Sequence, residues 1–402
     1  MSLADVPILL ILAGLAAYAV LAGADFGAGF WQLTRGDRAR PVREHAHHAI
    51  GPVCEANHVW LIFVLVVCWT AYPTAFSSIT STLAVPLFIA GIGIVLRGTA
   101  YALRSGTKTP REQRAIELVF GASSVLTPAA LGAVVGGIAS GRVPVGNAEG
   151  DLFTSWLNPT SLAVGAIAVA TAAYLAAVYL AADAARLGRP ALERAYRARA
   201  LVMAAATGAV TLAGLFVVRA DAPSLWGGLT SGAGLAAVAI SAIAGMTTVA
   251  LVAAGSYARA RVSAATAVVA VLAGWALAQR PELLPGLTIH EAAAGRSTLL
   301  SMLIALALGA VLLVPSLGFL FTLVLRGRFD GEASERHASP AGKRGDTEGV
   351  LRIAAAGFAA GAALMVFVDM RWALITGVVL LLGSVAAGFV SLASLITDAD
   401  NV

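Results

Sequence analysis

Long apolar runs, separated by short polar breaks, fill most of the chain. An uncharged run of about 20 residues is the mark of a helix that crosses a bilayer, because a helix satisfies its own backbone in hydrocarbon. The pattern predicts spans at 5–24, 50–74, 79–103, 115–138, 160–184, 200–218, 231–255, 262–279, 298–325, 350–368 and 373–397. The expected fold class is all-α, a polytopic transmembrane helix bundle. Residues 1–328 hold the first nine spans, 329–348 form a basic linker, and 349–402 add a C-terminal helical hairpin.

The breaks alternate in charge. Arg35, Arg38, Arg40 and Arg43 follow the first span; Arg104, Lys108, Arg111 and Arg114 follow the third. Arg186, Arg189, Arg194, Arg197 and Arg199 follow the fifth, then Arg259 and Arg261, then Arg326, Arg328, Arg336, Lys343 and Arg344. The intervening breaks are neutral or carry acids such as Glu149, Asp151 and Asp221. Basic loops stay in the cytoplasm, so the N-terminus is expected outside and the C-terminus inside.

Composition agrees with this class. The chain is 59% hydrophobic and 12% charged, whereas a soluble domain is about a quarter charged. The net charge of +5 resides in the loops and gives no reason to expect nucleic acid. Cys54 and Cys68 lie in apolar surroundings and suggest neither a disulfide framework nor a zinc site. The run Leu3–Ala22 is too long, and lacks the preceding basic residues, for a cleavable signal peptide.

Against this background a few polar residues stand out. The stretch Ile50-Gly-Pro-Val-Cys-Glu-Ala-Asn-His-Val-Trp-Leu61 places Glu55, Asn57 and His58 in the first turns of a span. A charge within a span costs about 2.5–3.5 kcal/mol even on lenient scales, so such residues are rarely idle. Glu55 and His58, three apart, share a helix face. The topology puts Asp25 at the inner end of the first span and Arg97 about two turns above the inner end of the third. Glu117, at the start of the fourth, lies on the same side. A polar layer of Asp25, Glu55, His58, Arg97 and Glu117 is therefore expected near the inner leaflet, supported by Asn57 and Trp60.

Each of these residues also has a plainer reading. Asp25 fits a solvated breaker at the end of the first helix, and Gly23 and Gly27 have the small-xxx-small spacing of close packing. Glu55 fits an acid at a helix N-terminus, and His58 a hydrogen-bond partner for it. Arg97 fits a side chain snorkelling to phosphates. Asn158-Pro159 reads as an N-cap followed by a first-turn proline. His45, His47 and His48 sit in a basic loop with no zinc-like spacing. Tyr72, Trp156, Trp226 and Trp372 read as interface anchors.

Three stretches then carry a resemblance. Gly23-Ala-Asp-Phe-Gly-Ala-Gly29, the Ile50–Leu61 stretch and Gly93-Ile-Val-Leu-Arg-Gly98 look like the signature of subunit II of cytochrome bd-type quinol oxidases. Leu157-Asn-Pro159 and Leu287-Thr-Ile-His-Glu-Ala-Ala293 extend the likeness over roughly residues 1–328. The chain resembles the branch that reads Glu-Ala-Asn-His-Val-Trp. It departs from the pattern at Cys54, where a Trp is usual, and at Ala22, where many members carry a second acid. The added C-terminal hairpin is a third departure.

The resemblance implies a subunit of a quinol:oxygen oxidoreductase in the bacterial plasma membrane. It implies a partner, subunit I, that holds b-type haems and haem d (or a further b haem) and oxidises quinol. This chain is then expected to hold no haem or metal itself. Membrane lipid, quinone and an extra small subunit are the other expected contacts. The role implied for Glu55, His58 and Asp25 is proton relay from the cytoplasm, with Arg97, Asn57 and Trp60 in support. The alternative is a membrane transporter that uses the Asp25/Glu55/His58/Arg97 layer as a substrate or ion site.

Overall fold

The computed structural model describes residues 2–34, 40–50, 57–104, 109–325 and 344–367, with a few positions between 376 and 387. Glu55 and Cys54 lie outside the described residues. The chain divides into two compact units, Met1–Val314 and Pro315–Val402.

In the first unit the apolar runs become helices: α1 (Asp5–Gln32), α2 (Arg40–Ile50), α3 (His58–Ala71), α4 (Pro73–Thr82), α5 (Ala84–Arg104), α6 (Pro110–Ala139) and α7 (Pro159–Arg186). There follow α8 (Pro190–Asp221), α9 (Pro223–Leu229), α10 (Gly232–Ala253) and α11 (Tyr257–Gln279). A two-stranded antiparallel hairpin, β1 (Glu282–Leu284) and β2 (Leu287–Thr288), leads to α12 (Ile289–Ala292) and α13 (Arg296–Leu325). Among the described residues, seven helices are long and apolar enough to cross a membrane: α1, α5, α6, α7, α8, α10 and α11. The apolar stretches His58–Ala71 and Arg296–Val311 are shorter.

Local chemistry sets several boundaries. Thr109 and Glu112 form a reciprocal capping box at the start of α6. Asn158 caps α7 by accepting from Ser161 N–H, with Pro159 in the first turn, as expected. Pro73 opens α4 and so divides the apolar run that follows α3.

Helix α1 packs against α3, α6, α7 and α11 and is the centre of the unit. Close approach requires glycine there. A Cβ on Gly27 would collide with the Ala172 carbonyl of α7. Farther along, a Cβ on Gly132 of α6 would come within 2.7 Å of Gly165 Cα on α7. The outer helices instead expose large apolar side chains, with Phe216 70%, Met246 65% and Val262 68% exposed. So much bare hydrocarbon suits lipid rather than water.

Several expectations need correction. The first helix does not stop at residue 24; it continues to Gln32, so Asp25 sits in its interior and is buried. The span expected over 50–74 is shorter among the described residues, running from His58 to Ala71. The three histidines lie on α2, a helix and not a loop. Tyr72 is fully buried, its hydroxyl donating to the Ala4 carbonyl at 2.6 Å, and is no interface anchor. The β-hairpin had no counterpart in the helical reading.

In the second unit α14 (Arg344–Phe367) begins inside the stretch expected as linker. It packs closely on its return arm: a Cβ on Gly361 would lie 2.8 Å from the Gly377 carbonyl. Most of the expected last span, 373–397, and Trp372 lie outside the described residues.

Candidate functional site

The last turns of α1, α5 and α7 and the first turns of α6 and α8 share one end of the bundle, here called the basic end. Asp25 lies seven residues before α1 stops there, and Arg97 seven residues before α5 stops. Both are buried, Asp25 at 7% exposure and Arg97 at 1%.

The two opposite charges come together without bonding each other in the expected way. Arg97 Nη2 donates to the main-chain carbonyl of Asp25 at 2.9 Å, not to its carboxylate. The Asp25 carboxylate accepts instead from Asn57 Nδ2. Asn57 precedes α3, and its side chain makes no cap bond to that helix, because it is committed to Asp25. The Arg97 guanidinium lies between two aromatic faces, 4.7 Å from the Phe26 centroid and 5.1 Å from that of Phe120. Contacts of this kind contribute about 0.5–2 kcal/mol each. Arg97 Nε and Nη1 are buried and have no hydrogen-bond partner among the described residues. Leaving such donors unmet costs about 1–3 kcal/mol apiece, comparable to what the rings return. The snorkelling reading of Arg97 is therefore wrong: the side chain is enclosed.

His58, at the first turn of α3, is half-buried. Its Nδ1 is 3.4 Å from the Tyr18 hydroxyl, and its ring lies 6.0 Å from both Tyr18 and Phe26. Trp60 is 37% exposed and contacts Phe63 edge-on, at 6.3 Å. Glu117 forms an ion pair with Arg104 at 3.2 Å, two turns nearer the basic end than Arg97. Of the predicted layer, the structure thus gathers Asp25, Asn57, His58 and Arg97, and gives Glu117 a partner of its own. Glu55 precedes Asn57 by two residues and lies outside the described residues.

A family model for cytochrome bd terminal oxidase subunit II matches residues 3–324. The chain belongs to that family. It is 30% identical over 119 residues to a Bacillus subtilis (strain 168) protein that carries the provisional name cytochrome bd menaquinol oxidase subunit II. That match covers 28% of this chain and spans about a third, 32%, of the relative's length. The fold matches a solved chain of the bd oxidase from Geobacillus thermodenitrificans with a TM-score of 0.62 at 25% identity. That likeness covers 81% of this chain and 99% of the other.

Tyr18, Phe26 and Phe120 complete the site and were not singled out in the sequence. Tyr18 had a signal, since it stands seven residues before Asp25 and so shares its helix face. Phe26 adjoins Asp25 in the first motif. Phe120 had none, because it reaches Arg97 only through the packing of α5 on α6.

Proposed function

We propose that this chain is the haem-free subunit II of a bd-type terminal oxidase in a bacterial plasma membrane. Its partner is a haem-bearing subunit I that oxidises quinol and reduces dioxygen to water. The basic end faces the cytoplasm, following the positive-inside rule. This chain contributes a proton route from that side.

One observation carries the reading. Asp25 is buried, its carboxylate is bonded by a neutral amide, and the arginine beside it bonds its main-chain carbonyl and not its carboxylate. Such a carboxyl can take and release a proton without breaking an ion pair. Asn57 orients it, and the Arg97 guanidinium, held between Phe26 and Phe120, lies beside it. Arg97 Nε and Nη1, which meet no partner among the described residues, are natural anchors for internal water, which a route through hydrocarbon needs. Glu55, two residues before Asn57, and His58 extend the relay.

The described imidazoles support a haem-free chain. His45 faces Asp183, His47 lies on Tyr101, His58 meets Tyr18 and His290 meets Asp5. An axial ligand must aim a ring nitrogen at the iron, and each of these four rings lies against a neighbouring side chain of this chain.

The purified chain alone is expected to be colourless, and the complex with its partner to show haem bands and quinol-dependent oxygen uptake. Stoichiometric haem on the isolated chain, ligated by one of its histidines, would overturn the haem-free reading. Solute movement by the isolated chain in liposomes would instead favour a transporter. The hairpin over 349–402 is an addition to the family core; deletion from about residue 345 is expected to leave assembly and part of the turnover.

A further inference from the structure

Helix α2 is described over Arg40–Ile50. Most helical stability in proteins comes from tertiary packing, so its place is decided by what it docks against. It docks on both sides. His45 is 4% exposed, and its Nε2 lies 3.5 Å from Asp183 Oδ2 of α7. Asp183 also accepts from Arg186 at 2.7 Å, and Arg261 of α11 is within electrostatic reach of it. The His45 ring rests 5.6 Å from that of Tyr196 on α8, whose hydroxyl donates to the Val42 carbonyl at 2.7 Å.

The other side of α2 leads to the Asp25 site. The His47 ring is 5.3 Å from Tyr101 of α5. Tyr101 is 6.5 Å from Phe120 of α6, and Phe120 carries the Arg97 guanidinium at 5.1 Å. A continuous packed line therefore joins α2 to Arg97.

We propose that His45 and Asp183 are a positioning pair. Together they fix α2, and α2 sets the basic-end boundary of the Asp25–Arg97 site. Neither residue touches a reacting atom. The proposal rests on the proton-route reading for its effect on turnover, but not for its effect on α2 itself.

The test uses the purified complex of this chain with its haem-bearing partner. His45→Ala is expected to lower kcat for oxygen reduction by about threefold or more, since small displacements of a working group are expensive in rate. KM for quinol and haem content should stay unchanged. Amide hydrogen exchange over residues 40–50 should rise. His45→Gln keeps a donor for Asp183 and should restore both turnover and protection. Asp183→Ala should match His45→Ala, and the double variant should be no worse than either, because the pair acts as one unit. Unchanged exchange in His45→Ala overturns the proposal. So does a Gln variant as impaired as Ala, which would mean that the imidazole acts through its proton. Loss of haem in His45→Ala also overturns it, making the pair an assembly contact. Wild-type turnover in Asp25→Asn would sink the proton route alone; the exchange measurement would still decide the role of the pair.

Discussion

Two arginine–aspartate sites, one buried and one partly exposed, lie at opposite ends of the bundle, and they are built differently. At the end away from the basic loops, Arg142 grips Asp221 with two bonds, of 2.6 and 2.9 Å. Thr160 adds its hydroxyl at 2.6 Å and its N–H at 3.2 Å. That carboxylate has four donors and a bidentate cation, so it joins the loop after α6 to the ends of α7 and α8. At the basic end Arg97 bonds the main-chain carbonyl of Asp25, and the Asp25 carboxylate accepts from Asn57. The first arrangement is a brace. The second keeps its charges available, which a brace has no reason to do. Two Arg–Asp pairs of the same residue types thus differ in what their carboxylates are bonded to, a difference that fits a structural role at Asp221 and the proposed proton route at Asp25.

Breaking the contrast should have its largest effect at the inner site. Asp25→Asn keeps the bond geometry and removes the exchangeable acid. Oxygen uptake by the assembled complex should fall about tenfold or more, or about 1.4 kcal/mol in the barrier, with haem retained. Normal uptake would make Asp25 a second brace. Glu55→Gln should behave alike, and Glu55→Asp should keep much of the activity. If Gln and Asp variants both lose haem, Glu55 holds the subunits together instead.

Arg97→Lys is the next step down. A lysine has a point charge but no planar fork to lie between Phe26 and Phe120, and a fall of roughly threefold in uptake is expected. An unaltered rate would show that the charge alone matters and the aromatic cage does not.

At the outer brace the prediction reverses. Asp221→Asn should lower stability by about 1–2 kcal/mol, a figure discounted because the pair is partly exposed. It should show as a lower melting temperature of the purified complex at undiminished turnover. A turnover defect would erase the distinction between the two sites.

The smallest effect belongs to the outer cap near β2. Glu291 accepts from the Thr288 N–H at 2.9 Å and from its hydroxyl at 2.7 Å, which holds its carboxyl below the usual value. A depressed folded pKa contributes stability above the unfolded value, about 4.3, that is lost as pH falls through the folded one. The melting temperature should therefore drop between pH 7 and pH 4 by slightly less in Thr288→Ala than in the parent, with turnover equal at pH 7. Identical pH dependence in both would remove Glu291 from the account.

Some of the inner site was legible and some was not, for reasons visible in single residues. Asp25, Asn57, His58 and Arg97 stood out because a polar residue within an apolar run must have a reason to be there. The sequence could not say which of them bond. Arg97 and Asp25 are 72 residues apart, and nothing in the spacing selects a carbonyl over a carboxylate as acceptor. Glu117 was grouped with them by depth alone; it went to Arg104, because depth fixes height in the bundle but not the direction a helix face points. Trp60 was included by adjacency and contacts Phe63 instead.

By itself the sequence determined the membrane class, the helical architecture, the alternation of basic loops and the family. Each follows from local chemistry: hydrocarbon demands uncharged helices of a given length, and the motifs are contiguous. The tertiary structure alone decided that α1 continues past its glycines, because α7 and α6 cover them and leave no reason to stop. It alone decided that α2 is a docked helix with His45 beside Asp183, residues 138 apart. And it alone divided the two Arg–Asp sites into a brace and an open pair, since bonding partners are chosen by the packing of distant helices and not by neighbours along the chain.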